Sequence, residues 1–417
     1  MATRMERRFL SGLIVGMSAT FIPGCNDSAL AGLGLPDLAA PTPQVDAATN
    51  PVPDLGMEGD LPTSDATPMA EDLANSNCGP LSIAKRTTVP NYGGNATNPL
   101  VTDFNRDGNL DVALDNGGVV TVLLGDGDGG FSRFENSPCT FHGDLAGDFN
   151  GDGHPDIAGF YQPMAMFGVL LNRGDGTFAP SIDTQIQEGA RQLVQADFDR
   201  DGKLDLALDA YEWNAPRYAT VYFGNGDGTF GRSETLIPGM AASPLLVGDF
   251  DNDGSADLVV HLDCACPLWD HAGVLLNNGK GVFAQAPDSA PSIGMLASAD
   301  FNVDGKLDVF TQEWVYLGRG DGTFRAGLPV SRSVYVVGNP VVGDFNHDGK
   351  LDVAETGTAG FGIFLYMGRG DGTFDGPMNC SAGQTFWDLA AGDFNNDGKI
   401  DLIADDDGGV VTVFVQK

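Results

Sequence analysis

The sequence predicts an all-β fold, a β-propeller of seven four-stranded antiparallel blades in which an N-terminal strand closes the last blade. Three observations predict it. First, a nine-residue pattern, Asp-x-Asn/Asp-x-Asp-Gly-x-x-Asp, starts at Asp103, Asp148, Asp197, Asp249, Asp300, Asp344 and Asp393, at spacings of 45, 49, 52, 51, 44 and 49 residues. A period of that size marks units that bury their apolar faces against their neighbours. Second, a glycine-rich turn recurs between these copies: Gly-Asp-Gly-Thr-Phe ends at Phe178, Phe230, Phe324 and Phe374, Gly-Asp-Gly-Gly-Phe ends at Phe131, and Lys280 replaces the Asp before Phe283. Third, the repeat region has strand-type residues and many of the 58 glycines, with no long run of helical period.

The N-terminus reads as an address. Arg4, Arg7 and Arg8 form a basic start, and Phe9 to Phe21 is apolar but too short and too interrupted for a membrane span. Residues 1–24 are therefore expected to be an export signal. The sequence Ile22-Pro23-Gly24-Cys25 resembles a bacterial lipobox, which implies a lipidated Cys25 as the mature N-terminus; Pro23 departs from the small residue usual there. Residues 26–77 hold nine Asp or Glu, no Lys or Arg and no aromatic residue. Such a stretch buries too little apolar surface to fold, so residues 25–77 are expected to be the anchor cysteine and a disordered acidic tether.

Residues 78–417 form the repeat region. One unit reads from Leu245 to Phe283: an apolar strand, the acidic loop, a strand at Asp257–Val260, a variable loop, a strand at Gly273–Leu276, the glycine turn, and a fourth strand towards the next copy. Asp-Gly in the turn is hairpin chemistry, because primed turns need positive φ. The turn Phe is expected to pack between blades. Seven units of about 48 residues account for the 340 residues of this region. The last unit lacks a fourth strand, since Lys417 lies only 24 residues past Asp393, and the run Leu81–Val89 is expected to supply it. Closure of that kind removes an exposed sheet edge.

The Asp-Phe-Asn-x-Asp-Gly-x-x-Asp loop followed by Gly-Asp-Gly-Thr-Phe resembles the FG-GAP/VCBS repeat family, over about 340 of the 417 residues. It is similar to the seven-bladed head of integrin α subunits and to many bacterial surface proteins. The resemblance implies structural calcium in the acidic loops, up to seven ions, and no single activity. The chemistry agrees: calcium takes six to eight oxygens in flexible geometry. In the first loop the donors are expected to be Asp103, Asn105, Asp107 and Asp111 through side chains and Asn109 through its carbonyl. The same offsets give Asp148, Asn150, Asp152, His154 and Asp156; Asp197, Asp199, Asp201, Lys203 and Asp205; and Asp249, Asp251, Asp253, Ser255 and Asp257. The last three loops give Asp300, Asn302, Asp304, Lys306 and Asp308; Asp344, Asn346, Asp348, Lys350 and Asp352; and Asp393, Asn395, Asp397, Lys399 and Asp401.

An EF-hand needs a bidentate Glu at position 12 on a following helix. That position holds Leu114, Gly159, Leu208, Val260, Thr311, Glu355 and Ala404, and only one of these fits. A metal-free Asx turn is the other alternative. Five loops carry three carboxylates and two carry four, 23 in all, which repel without a counter-ion.

The chain has 57 acidic and 22 basic residues and a formal charge of −35. That argues against nucleic acid and leaves the lipid as the membrane contact. The expected partner is a protein or glycan, the expected state a monomer, and the expected location the bacterial periplasm or cell surface. Connectivity puts acidic loops and glycine turns on one face and the loops between second and third strands on the other. Those loops are long in blades two to four, where Tyr161, Tyr211, Trp213, Tyr218, Trp269 and His271 lie, with Phe386 and Trp387 on the same side. Aromatics on variable loops suit a ligand surface, although each ring could instead pack on its own blade. Arg-Gly-Asp occurs at Arg173, Arg319 and Arg369, each time within the glycine turn, which disfavours an adhesion-ligand role.

Cys78, Cys139, Cys264, Cys266 and Cys380 could form disulfides outside the cytoplasm, and their odd number leaves at least one unpaired. No zinc-ligand spacing, Gly-x-Ser-x-Gly or His-Glu-x-x-His is present. The expectation is a non-enzymatic, membrane-anchored, calcium-binding module for binding or adhesion. A lectin-like or polysaccharide-degrading propeller is the alternative.

Overall fold

The computed structural model describes residues 79–417 apart from 89–98, 117–118, 141, 162–165, 187–188, 212–217, 237–240, 264–270, 288–296, 332–338, 358–361, 381–385 and 407–408. The export signal, Cys25, the tether and Cys78 lie outside the described residues. Among the described residues, 28 strands and no helix form seven antiparallel sheets of four. Blade 1 consists of Leu100–Thr102, Asp111–Asn116, Val119–Gly125 and Phe131–Thr140. Blades 2 to 6 begin with His142–Gly147, Gly189–Ala196, Ala241–Gly248, Ala297–Ala299 and Val341–Gly343 and run in the same order.

Blade 7 is the exception in connectivity. Leu389–Gly392, Asp401–Asp405 and Val410–Gln416 supply three strands, and Leu81–Thr88 supplies the outermost, antiparallel to Val410–Gln416. The first strand of each blade lies beside that of the next, and Leu389–Gly392 lies beside Leu100–Thr102, so the first strands form a closed inner ring. A backbone bond across the same junction, Gly129 N–H to the Phe394 carbonyl at 2.9 Å, ties blade 1 to blade 7.

The second strands explain their apolar runs. Val112 and Leu114 point into a cluster with Ile403, Val411 and Val413 of blade 7, while Ala113 points into one with Ile157, Leu170 and Phe178 of blade 2. A strand buried on both faces reads as continuous apolar sequence rather than alternation. Seven such clusters fill the seven junctions between blades. The turn phenylalanines take the expected place. Phe178, Phe230, Phe283, Phe324 and Phe374 each meet the loop phenylalanine of the preceding blade (Phe104, Phe149, Phe198, Phe250 and Phe301) with ring centroids 5.5–6.4 Å apart and steeply inclined planes. Such edge-to-face pairs contribute about 0.5–1.5 kcal/mol each beyond their burial.

Candidate functional site: seven acidic loops

Each acidic loop joins the first and second strands of its blade, and its backbone holds its acids. The first Asp accepts the N–H of the glycine five residues on, at 2.7–2.9 Å in all seven loops. In blade 1, Asn105 Oδ1 accepts the Asp107 N–H and Asp107 accepts the Asn109 N–H. The last Asp is the most buried. Asp111, Asp156, Asp205, Asp257, Asp308, Asp352 and Asp401 accept the N–H of the loop phenylalanine at 2.8–3.1 Å. Their other oxygen accepts an N–H at the end of the third strand at 2.7–2.9 Å. One carboxylate thus pins three strands together. Burial, opposed by these bonds and reinforced by the neighbouring acids, raises each of the seven to about 6.

Two backbone positions make the loop possible. The shared glycine, such as Gly108, has φ between 81° and 89°. The residue two before it is also left-handed, a feature that sequence reading missed: Arg106, Arg200, Asn252, Val303, His347 and Asn396 have φ of 56–59°, and only blade 2 places a glycine, Gly151, there. Left-handed backbone is costly for a β-branched residue. Val303 is 71% exposed, so little burial offsets that cost. Val303→Asn, the residue that blades 4 and 7 use, is expected to stabilise the chain by about 0.5–1 kcal/mol, read as a higher melting temperature; an unchanged or lower one would refute the strain.

The seven loops are not equivalent. In blade 3, Asp197, Asp199 and Asp205 can each bring an oxygen within 4.8 Å of the others, as can Asp249, Asp251 and Asp257 in blade 4. The other five loops have Asn in the third place and offer an amide oxygen instead. Asp251 is raised by burial and by the charges of Asp253 and Asp249. Asp199 Oδ1 is buried without a hydrogen-bond partner. An all-oxygen donor set with an orphaned carboxylate oxygen fits a hard divalent cation. Such acidic clusters could hold a metal ion.

The strands that follow the loops, such as Asp111–Asn116 and Asp257–Asp263, replace the helix an EF-hand requires. The seventh loop position places its N–H on the fifth, as Lys203 does on Asp201 at 3.0 Å, and its Nζ lies 3.0 Å from the same carboxylate. The Arg-Gly-Asp segments are consumed by their turns. Asp175, Asp321 and Asp371 accept the N–H and Oγ1 of the following threonine, Arg173 and Arg319 bond the carbonyls of Phe178 and Phe324, and Arg369 pairs with Asp375.

Of the aromatic residues expected on the opposite face, Trp213 and Trp269 lie outside the described residues, as do Cys264 and Cys266. Tyr211, Tyr218 and His271 lie in strand ends rather than loops, because the hairpins run further than the apolar pattern suggests. Tyr161 packs on its own blade, its hydroxyl 2.6 Å from Ser181 Oγ and 2.8 Å from Asp183. Trp387 is half-buried, and its carbonyl accepts Thr356 Oγ1 at 2.9 Å, so it links blades 6 and 7. Phe386 and Cys380 are both core.

A second acidic layer went unread in the sequence. Four residues beyond the last loop acid stand Asp115, Asp209 and Asp405, all buried. Asp115 pairs with His142 of blade 2, Asp209 accepts the Gln192 N–H at 3.1 Å, and Asp405 accepts the Asp388 N–H at 3.2 Å. Burial, with the charge of Asp115 second, pushes the neighbouring Asp144 well up. The signal was an acid inside an otherwise apolar strand.

Comparison with known proteins agrees with this geometry. No curated protein matches the chain. One similar solved structure is an Agrocybe aegerita lectin described as recognising non-reducing terminal N-acetylglucosamine, at 20% identity and TM-score 0.51, covering 75% of this chain and 85% of the lectin. Another is BBS1N in complex with ARL6DN, at 10% identity and TM-score 0.52, covering 81% and 97%. At such identities the likeness is one of fold. The model of the FG-GAP-like repeat matches residues 103–159, 148–208, 207–260 and 300–355, together just over half of the chain, and the chain belongs to the FG-GAP-like repeat family.

Proposed function

We propose that this chain is an extracytoplasmic glycan-binding module whose acidic loops hold calcium as a structural ion and whose ligand sits on the opposite face. The observation that carries the reading is the division of labour between the two ends of the blades. Loops and glycine turns at one end are alike and bonded to each other blade by blade, as in Gly228 N–H to the Phe149 carbonyl and Gly281 N–H to the Phe198 carbonyl, both at 3.0 Å. The connections between second and third strands differ in length and composition, as binding loops on a rigid scaffold do. They carry Trp213 and Trp269, and aromatic rings suit the apolar faces of sugars. The lectin fold supports a glycan as the first ligand class to test. In the same proposal Cys25 carries the lipid anchor, the acidic segment behind it holds the propeller away from the membrane, and the chain works as a monomer.

The test is a glycan array with the purified chain, run beside hydrolysis and lyase assays on every glycan bound. Binding without turnover is expected, with Trp213→Ala and Trp269→Ala each weakening it about tenfold. Turnover that survives purification would make the propeller an enzyme, and binding to no glycan would move the ligand to protein.

A further inference from the structure

We infer that Arg232 is a resident counter-ion of the blade 3 acidic loop, so that of the two four-aspartate loops the blade 4 loop takes a divalent cation more tightly. The inference rests on the cation reading of the loops and deepens it.

The two loops share the same acids and differ in what faces them. In blade 3, Arg232 Nη2 lies 3.0 Å from Asp199 Oδ2 and donates to it, while Asp199 Oδ1 is the buried oxygen without a partner. Asp199 therefore presents one oxygen to the loop and one to a guanidinium. In blade 4, Arg200 reaches only Asp253, whose carbonyl accepts its Nη2 at 3.2 Å. Among the described residues no ion pair reaches Asp249, Asp251 or Asp257.

Arg232 is seated, not loose. Its guanidinium carbon lies 3.6 Å from the centroid of the Phe223 ring, a cation–π contact. The blade 4 hairpin covers that ring with Gly281, at φ 69°, where a Cβ would stand 2.4 Å from the ring and 3.3 Å from Arg232 Nη2. At the same place in other junctions the hairpin glycine covers Leu124, Leu171, Leu276 or Leu317. The residue two past the turn phenylalanine is Pro180, Gln285, Ala326 or Gly376 in blades 2, 4, 5 and 6. In blade 1 it is Arg133, but there the covered residue is Leu124 rather than a ring. The ring and the guanidinium thus occur together in blade 3 alone among the described side chains. A positive charge held against a ligand oxygen opposes a second cation there, and its partial exposure moderates the effect.

Calcium titration of the chelator-stripped full chain, followed by calorimetry and by the calcium-induced rise in melting temperature, tests this. Arg232→Gln is expected to tighten one binding event about tenfold, Arg232→Lys to stay near the parent, and Arg232→Gln to have no effect in a chain that also carries Asp199→Asn. If Arg232→Gln leaves the titration unchanged or weakens it, the guanidinium is a buttress and the inference fails while the cation reading stands. If the parent chain takes up no calcium at all, both fail.

Discussion

Chelation of divalent cations at pH 7 is expected to lower the melting temperature by more than about 10 °C, because one ion at a hundred times its dissociation constant contributes about 2.7 kcal/mol and several loops act together. The reason lies in the last acid of each loop. Asp111 and its six equivalents are buried and raised from 3.8 to about 6, so ionising one inside the fold costs about 3 kcal/mol. A carboxyl whose folded pKa lies above its unfolded one binds its proton more tightly when folded. Its contribution to stability is complete below about pH 4 and is lost as pH rises through about 6. In chelator, the melting temperature is therefore expected to climb as pH falls from 7 to 5. With calcium present the trend is expected to reverse, because protons would displace a bound ion from carboxylates it needs ionised. Differential scanning calorimetry at both pH values, with and without calcium, reads all four numbers. Identical curves with and without calcium would remove the ion from the account, and a metal-free protein that weakens between pH 7 and 5 would overturn the role of the buried acids.

Removal of the closing strand is expected to be at least as damaging. A chain that begins at residue 99 lacks Leu81–Thr88 and leaves Val410–Gln416 as an open edge. It also loses Leu81, which is fully buried among Phe345, Phe386 and Phe414 at the junction of blades 6 and 7. An open edge pairs with other chains, so aggregation or a melting temperature lower by more than about 10 °C is expected. A chain that begins at Cys78 should melt as the full chain does, since only the tether is gone. Leu81→Ala gives the graded version, at a cost of about 2–5 kcal/mol in denaturant unfolding. Equal melting of the chains that begin at 78 and 99 would show that blade 7 holds without its outer strand.

Much of this was legible because repetition multiplies a weak signal. One Asp-Phe-Asn-x-Asp-Gly loop is ambiguous between a calcium loop, an EF-hand and an Asx turn; seven at near-constant spacing fix the blade count and the strand that follows. The glycine turn was readable for the same reason, and its phenylalanine lies between blades as the pattern implied. What did not repeat was not readable. The left-handed residue before the shared glycine is Arg, Asn, Val, His or Gly, and this variety hid a backbone conformation that is nearly identical in every loop. The buried Asp115, Asp209 and Asp405 do not stand out in a chain that carries 57 acids.

The face opposite the acidic loops shows the same limit from the other side. Aromatic residues between the second and third strands, and Trp387 on the same side, suggested exposed rings, yet the hydroxyl of Tyr161 is bound within its own blade and Trp387 is half-buried. Composition cannot tell a ring that faces solvent from one that packs, because both are apolar and both lie near a turn. By itself, then, the sequence determined the number of blades, the acidic loop in each and the strand borrowed from the N-terminus, since these follow from spacing and local turn chemistry. Only the tertiary structure decided which four-aspartate loop meets a guanidinium and that the last acids are sealed from water, because those depend on how strands separated in sequence pack within and around each blade.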